Sequence, residues 1–177
     1  MTNPVFNYTV ALIKAPSVAR GDDEVVFNRL MNEGFVIAAI TRGKLCPATI
    51  RAFYGAHVDK PYFPDLEWSV TGDVVAMIIH KPFQDTVKAW REVMGPTNPA
   101  NAPKTTLRGL IGGFRYRGKD AKMADNAVHG SDSWTAARYE ASLLFPKEVV
   151  DRCDAWVLTM AQLSSDLNNS ALNMLTP

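Results

Sequence analysis

The run Asp73-Val74-Val75-Ala76-Met77-Ile78-Ile79 restricts the fold more than any other stretch of the chain. Its apolar residues are mostly β-branched, which favours an extended backbone. Successive side chains of a strand point to opposite faces, so a strand that is apolar on both faces needs cover on both. The run therefore predicts the central strand of a sheet with helices packed around it. The same reasoning gives a short buried strand over Tyr8–Ile13 and another over Phe35–Thr41.

The segments between these strands carry helical periodicity. Gly21-Asp22-Asp23-Glu24 opens a helix, because acids suit the positive end of its dipole. Val26, Phe27, Leu30 and Met31 then form one stripe, and Gly34 is the stop. Strand, helix, strand is a unit of an α/β sandwich. Pro47 starts a second helical stretch through Ile50, Phe53 and Tyr54, which runs on to Lys60-Pro61-Tyr62-Phe63-Pro64-Asp65-Leu66. Two prolines forbid one regular helix there, so a bent helical hairpin is expected. Its aromatic residues either anchor the bend or form a platform for a planar ligand. Pro82 lies near the next helix start, and Phe83, Val87, Trp90 and Met94 repeat at helical spacing with Arg91 off the stripe.

Gly95–Pro103 is a loop by composition and leads to Thr105-Thr106-Leu107-Arg108-Gly109. The segment from Gly109 to Asp125 is glycine-rich and basic, with Arg115, Arg117, Lys119 and Lys122. Within it, Gly113 to Lys119 has the glycine and lysine spacing of a phosphate-binding P-loop. Asp120 stands where that loop needs a hydroxyl, and no apolar strand runs into it, so a basic surface loop is the better reading. A helix follows from about Ser133 to Leu144. Beyond Pro146, the stripe Val149, Val150, Cys153, Trp156, Val157, Met160 and Leu163 marks an amphipathic helix, and the polar Ser164–Pro177 is expected to fray.

The remaining bounds are broad. The 177 residues suit one domain, and a net charge of +1 argues against large-scale binding to nucleic acid or anionic membrane. No run is long and apolar enough to cross a bilayer, and Met1-Thr2-Asn3-Pro4 begins no secretory signal. Cys46 and Cys153 make no metal spacing or disulfide framework, and a cytoplasmic protein is expected.

Two places carry candidate chemistry. Lys14 lies where the first strand ends, either as a binding group or as a solvated lysine. Asn126-Ala127-Val128-His129-Gly130-Ser131-Asp132-Ser133 sets a histidine at a strand end, ahead of residues that cap a helix. His57 and His80 have no such surroundings and read as structural or solvent-facing.

Taken together, these pieces resemble the nucleoside diphosphate kinase family over roughly Tyr8 to Phe145. The stretch around His129 is close to that family's active-site signature. Leu12-Ile13-Lys14 with Val18-Ala19-Arg20-Gly21 resembles its first strand and lysine. Tyr54 with Lys60–Leu66 resembles its nucleotide-binding hairpin. Met94–Ala100 and Thr106-Leu107-Arg108-Gly109 resemble its long loop and phosphate-binding arginine.

The resemblance implies an α+β, ferredoxin-like sandwich: a four-stranded antiparallel sheet covered by helices. It implies transfer of the γ-phosphate of a nucleoside triphosphate to a nucleoside diphosphate, with His129 transiently phosphorylated. Lys14, Tyr54, Arg91, Thr97, Arg108 and Asn126 would hold phosphates and ribose, and Tyr62 and Leu66 would sandwich the base. Glu140 falls where the family keeps a glutamate near the histidine, where it would fix the imidazole tautomer. Ser131 joins the catalytic set, and Gly130 would leave room for a phosphate. Mg²⁺ is expected mainly on the nucleotide phosphates, with no protein metal site. A homo-oligomer, hexamer or tetramer, is also implied.

Three departures from the family stand out. Ala15-Pro16 follow the lysine, Leu110 follows the arginine-glycine pair, and the connection from Arg108 to Asn126 is longer by roughly eight residues. The expected organisation is a kinase-like domain over 1–145, with an insertion at about 110–125, and a helical extension over 146–177. The competing reading is a non-catalytic nucleotide-binding or scaffold protein of the same fold.

Overall fold

The structure, a computed structural model, describes residues 6–113 and 117–175, with side chains in the last helix to residue 166. Arg115 and the middle of the P-loop-like run lie outside the described residues. Gly118–Asp120, at the end of that run, form a bend and turn and not the start of a helix, so the run is no P-loop.

Four strands form one sheet in the order β2-β3-β1-β4: β1 (Thr9–Ile13), β2 (Val36–Lys44), β3 (Asp73–His80) and β4 (Val128–Gly130). Every neighbouring pair is antiparallel. The apolar run is indeed internal, and its side chains divide between two cores. Val74, Ala76 and Ile78 join Val10 and Leu12 of β1 beneath α3 (Pro47–Phe53), α4 (Phe63–Val70), α7 (Trp134–Leu144) and α8 (Lys147–Leu175). Val75, Met77 and Ile79 join Ala11 and Ile13 on the other face, against α2 (Asp23–Asn32), α5 (Thr86–Met94) and α6 (Leu107–Ile111). The four-stranded antiparallel sheet between helical layers is the ferredoxin-like sandwich that the resemblance implied.

Several local expectations are corrected. Lys14 does not enter a loop: it caps α1 (Ala15–Arg20), a short helix that accommodates Pro16 in its first turn. The stripe of α2 is Val26 and Leu30 with partly buried Phe27, while Met31 is 65% exposed because it lies off the covered face. Pro82 does not start the next helix. Asp85 does, accepting from the Lys88 N–H at 3.2 Å, and Phe83 points outward with φ +61°. The tail from Ser164 stays helical to Leu175.

The edge strand β2 leaves Val36, Ile37 and Ile40 exposed. At the start of α8, Val150, Cys153 and Val157 pack into the core beside α7. The Tyr8 hydroxyl, on β1's approach, donates to Asp154 at 2.9 Å.

Candidate active site

His129 is the middle residue of β4 and pairs with Leu12. Cross-strand partners share a face, so the imidazole points to the side covered by α3 and α7. There the Phe53 ring packs edge-on to it at 4.8 Å, and Tyr54 at 6.1 Å. Its Nε2 lies 2.9 Å from Glu140 Oε2. A carboxylate only accepts, so Nε2 carries the ring proton. Among the described residues nothing hydrogen-bonds to Nδ1, so in the neutral tautomer its lone pair is left open.

Ser131 completes this arrangement from below. Its buried hydroxyl donates to the same Glu140 oxygen at 2.7 Å and accepts from the Val10 N–H at 3.1 Å. Glu140 projects from the middle of α7, and the Ser133 hydroxyl fixes the start of that helix by accepting from the Ala136 N–H at 3.1 Å. Gly130 has a different use from the one expected. Alternation turns it to the opposite face, where a Cβ would collide with the Trp90 ring and the Met94 methyl. Its missing side chain makes room for α5, and Trp90 Nε1 donates to the His129 carbonyl at 3.1 Å.

The approach to His129 is a strained turn. Val128 N–H donates to the Asn126 carbonyl at 2.7 Å across Ala127, whose φ is +64°. A γ-turn of this sign is rare and strained. It is held by Asp125, which accepts from the Ala127 N–H at 2.8 Å, and by the Lys14 N–H, which donates to the Ala127 carbonyl at 2.9 Å.

His129 opens into a cavity of about 710 Å³, well within the size range of sites for small organic ligands. It is lined by Lys14, Tyr54, Tyr62, Leu66, Arg91, Thr97, Arg108, Asn126 and Glu140, so these expected residues come together from separate segments of the chain. Ser131 lies behind it, buried.

Its electrostatics are unusual. Lys14 is only 3% exposed. Burial pushes its ammonium down to about 7; the Arg108 guanidinium adds to this and Asp125 opposes it. Burial, with the charge of Arg91 second, lowers Arg108 to about 10. Arg108 donates to the carbonyls of Val128 at 3.1 Å and Gly95 at 2.9 Å, which leaves N–H groups of its fork for another acceptor. Two buried cations side by side make an anion site, since an unpaired buried charge is costly until a counter-charge arrives. Arg91 stands at the rim in an ion pair with Asp132.

Two polar atoms in the cavity wall are buried without a partner among the described residues: the Tyr54 hydroxyl and Asn126 Oδ1. Burial, with Glu140's charge second, raises the Tyr54 phenol, so it remains a neutral donor. The Asn126 amide donates to the Thr97 carbonyl at 3.3 Å.

Sequence reasoning missed several wall residues. His57 is not merely structural: it lines the cavity, and its Nδ1 lies 3.1 Å from the Tyr62 hydroxyl. Met123, Phe53 and Asp132 line it too. For Met123 the only available signal was its position just ahead of Asn126. Tyr62 and Leu66 are four residues apart at the start of α4 and share one helix face, so they form one wall and not two. Of the described cations expected in the insertion at about 110–125, Lys119 and Lys122 are exposed, and none lines the cavity. His80 stacks on Trp156 at 4.1 Å, away from the site.

Comparison with known proteins agrees with this geometry. The family model for nucleoside diphosphate kinase matches residues 7–150. The nucleoside diphosphate kinase of Moorella thermoacetica is 35% identical over 138 residues, covering 77% of this chain and 92% of that protein. That of Persephonella marina is 32% identical over 145 residues, covering 81% and 96%. The crystal structure of the Aquifex aeolicus enzyme superposes with a TM-score of 0.69 at 28% identity, over 80% of this chain and 96% of that one. Fold, site and sequence thus converge, and the chain belongs to the nucleoside diphosphate kinase family.

Proposed function

We propose that this chain moves the γ-phosphate of a nucleoside triphosphate to a nucleoside diphosphate in two half-reactions, with His129 carrying the phosphoryl group between them. The observation that carries this reading is the division of labour on one imidazole. Nε2–H is fixed by Glu140, while Nδ1 is left with a lone pair beside two buried cations. In the first half-reaction Nδ1 attacks the γ-phosphorus, an N–P bond forms, the bridging P–O bond breaks and the diphosphate leaves. In the second, a terminal oxygen of the acceptor diphosphate attacks that phosphorus and the N–P bond breaks, restoring the neutral ring.

The chain's own work is positioning and charge balance. As Nδ1 bonds to phosphorus, positive charge spreads to Nε2–H, where Glu140 stabilises it. Lys14, Arg91 and Arg108 balance the transferring phosphate, arginine gripping in a fork and lysine as a point charge. The unpartnered Tyr54 hydroxyl can donate to a phosphate oxygen, and the Asn126 amide oxygen can accept from a ribose hydroxyl. Tyr62 and Leu66 offer the base one apolar wall and Met123 another. A π-face or an apolar wall suits every base alike.

Mg²⁺ enters this reading as part of the substrate, held mainly on the nucleotide's phosphates. The alternative of a silent scaffold rested on the residues after Lys14 and on the insertion. Ala15-Pro16 in fact build the helix that Lys14 caps, and the described cations of the insertion stand outside the cavity. Exposed Val36, Ile37 and Ile40 on the β2 edge support a homo-oligomer through that edge. Cys46 and Cys153, both free thiols, fit a reducing compartment such as the cytoplasm.

The test is incubation with γ-labelled ATP. Acid-labile label should appear on His129 and pass to an added second diphosphate. His129→Ala should abolish transfer and keep nucleotide binding. A folded wild-type protein that never takes up label overturns the reading.

A further inference from the structure

Asp65 sits in the first turn of α4, where an acid is ordinarily explained by the helix dipole alone. That explanation fits an exposed carboxylate, but this side chain is 3% exposed and is turned towards the insertion. Both of its oxygens are used there. Oδ1 accepts from Arg117 Nε at 2.8 Å. Oδ2 accepts from the main-chain N–H groups of Lys122 at 2.5 Å and Met123 at 3.0 Å. Burial opposes ionisation of this carboxyl, yet the bonds from Arg117 and the two amides outweigh it and hold it below the usual carboxylate range. The contact is thus three charge-assisted bonds between elements far apart in sequence.

What this contact joins gives it a role. On the α4 side, Tyr62 caps the helix and Leu66 directly follows Asp65; both line the cavity. On the other side, Met123, whose own N–H is held by Asp65, lines it too. The cationic end of the cavity comes from different elements: Lys14 after β1, Arg108 in α6 and His129 in β4.

We propose that Asp65 is a positioning residue for nucleotide binding: by clasping residues 117–123 to α4 it sets the spacing between Met123 and the Tyr62–Leu66 wall, and hence the fit of the base. This rests on the assignment of the cavity to nucleotide. A wall pre-set in this way does not have to be ordered when ligand arrives. Because the base does not react, its contacts strengthen ground state and transition state alike. Their loss then raises KM and leaves kcat in place.

The experiment uses the full chain and the variants Asp65→Asn and Arg117→Gln. Steady-state exchange between ATP and a second diphosphate gives KM and kcat. Labelling of His129 by phosphoramidate, a small phosphoryl donor with neither base nor ribose, reads the chemistry alone. Asn cannot accept three donors with its single carbonyl oxygen, so Asp65→Asn should raise KM by roughly tenfold. Its kcat and its phosphoramidate labelling should stay within about twofold of wild type. Arg117→Gln removes only the half-exposed cation and keeps both amide bonds; it should raise KM about threefold, and it guards against a misfolded Asp65→Asn. Unchanged KM in the folded variants overturns the proposal, and so does a matching fall in kcat and phosphoramidate labelling. A wild-type protein that takes no label from ATP sinks the kinase reading and this proposal together, whereas a labelled wild type with unaltered variant KM sinks the proposal alone.

Discussion

Replacing Glu140 separates the charge of this carboxylate from its shape. In the structure one oxygen, Oε2, serves both His129 Nε2 at 2.9 Å and the Ser131 hydroxyl at 2.7 Å, and the residue is buried. Glu140→Gln keeps the volume and an acceptor but loses the charge that opposes the developing imidazolium. A charge-assisted bond is worth about twice a neutral one, so the loss is about 1.4 kcal/mol, or roughly tenfold in rate. Glu140→Ala also frees the ring to rotate and leaves two buried donors without a partner. That loss is about 2.7 kcal/mol, or roughly a hundredfold. The assay is quenched-flow phosphorylation of His129 by γ-labelled ATP in a single turnover, which reads the chemical step before product release. ATP affinity, measured separately by equilibrium binding, should hold within about threefold, since Glu140 bonds to Nε2 and not to the ring nitrogen that meets the phosphate. Refutation would be a folded Glu140→Ala that labels within about threefold of wild type. Equal losses in Gln and Ala would instead refute the part assigned to charge in that step.

Other outcomes test other parts of the molecule. The Lys14 ammonium, pushed down to about 7 in the fold, has an unfolded value of about 10.4. Between those values the unfolded chain holds more protons, so ligand-free stability should rise as pH climbs from about 7 towards 10 and be lowest below that window. Lys14→Met should therefore melt higher than wild type at pH 7 and show a flatter pH dependence; a lower melting point with the slope intact would refute this. Gly130→Ala drives a methyl into Trp90 and Met94 and should cost about 1–3 kcal/mol in denaturant unfolding. An unchanged midpoint would mean that α5 moves aside freely. Ile40→Lys places a charge on the exposed β2 edge. It should lower the solution mass if that edge joins subunits, and an unaltered assembly would place the contact elsewhere.

How far the sequence could be read depended on how local each cause was. The β3 run was legible because strand alternation alone requires cover on two faces. The start of α7 was legible because a serine cap needs only the next turn. The surroundings of Lys14 were not legible: Arg108 and Asp125, whose charges act on it, and Ala127, which holds its N–H, are distant in sequence. Met31 fitted a helical stripe, but the stripe that counts is set by which face the sheet covers. Phe83 likewise fitted the spacing of a helix that begins only at Thr86, after its Asp85 cap. In the site, the resemblance assembled the residues around His129, while Met123 and Asp65 escaped it because they meet where the segment after Arg108 lies against α4. Gly130 was misassigned for a further reason: its purpose lies on the face away from the chemistry.

The γ-turn at Ala127 bears on how such a chain can change over evolutionary time. Asp125 ties to Arg20 at 3.0 Å, and Ala127 ties to Lys14. The chain is therefore re-indexed to β1 and α1 just before it enters β4. Whatever number of residues precedes Asp125, the count restarts there. Additions upstream can drift in length without touching the register that aims His129. One residue gained or lost between Asn126 and His129 would turn the imidazole towards Trp90. Insertions in this region should accordingly accumulate on one side of Asp125 only, within the connection from Arg108 to Asp125.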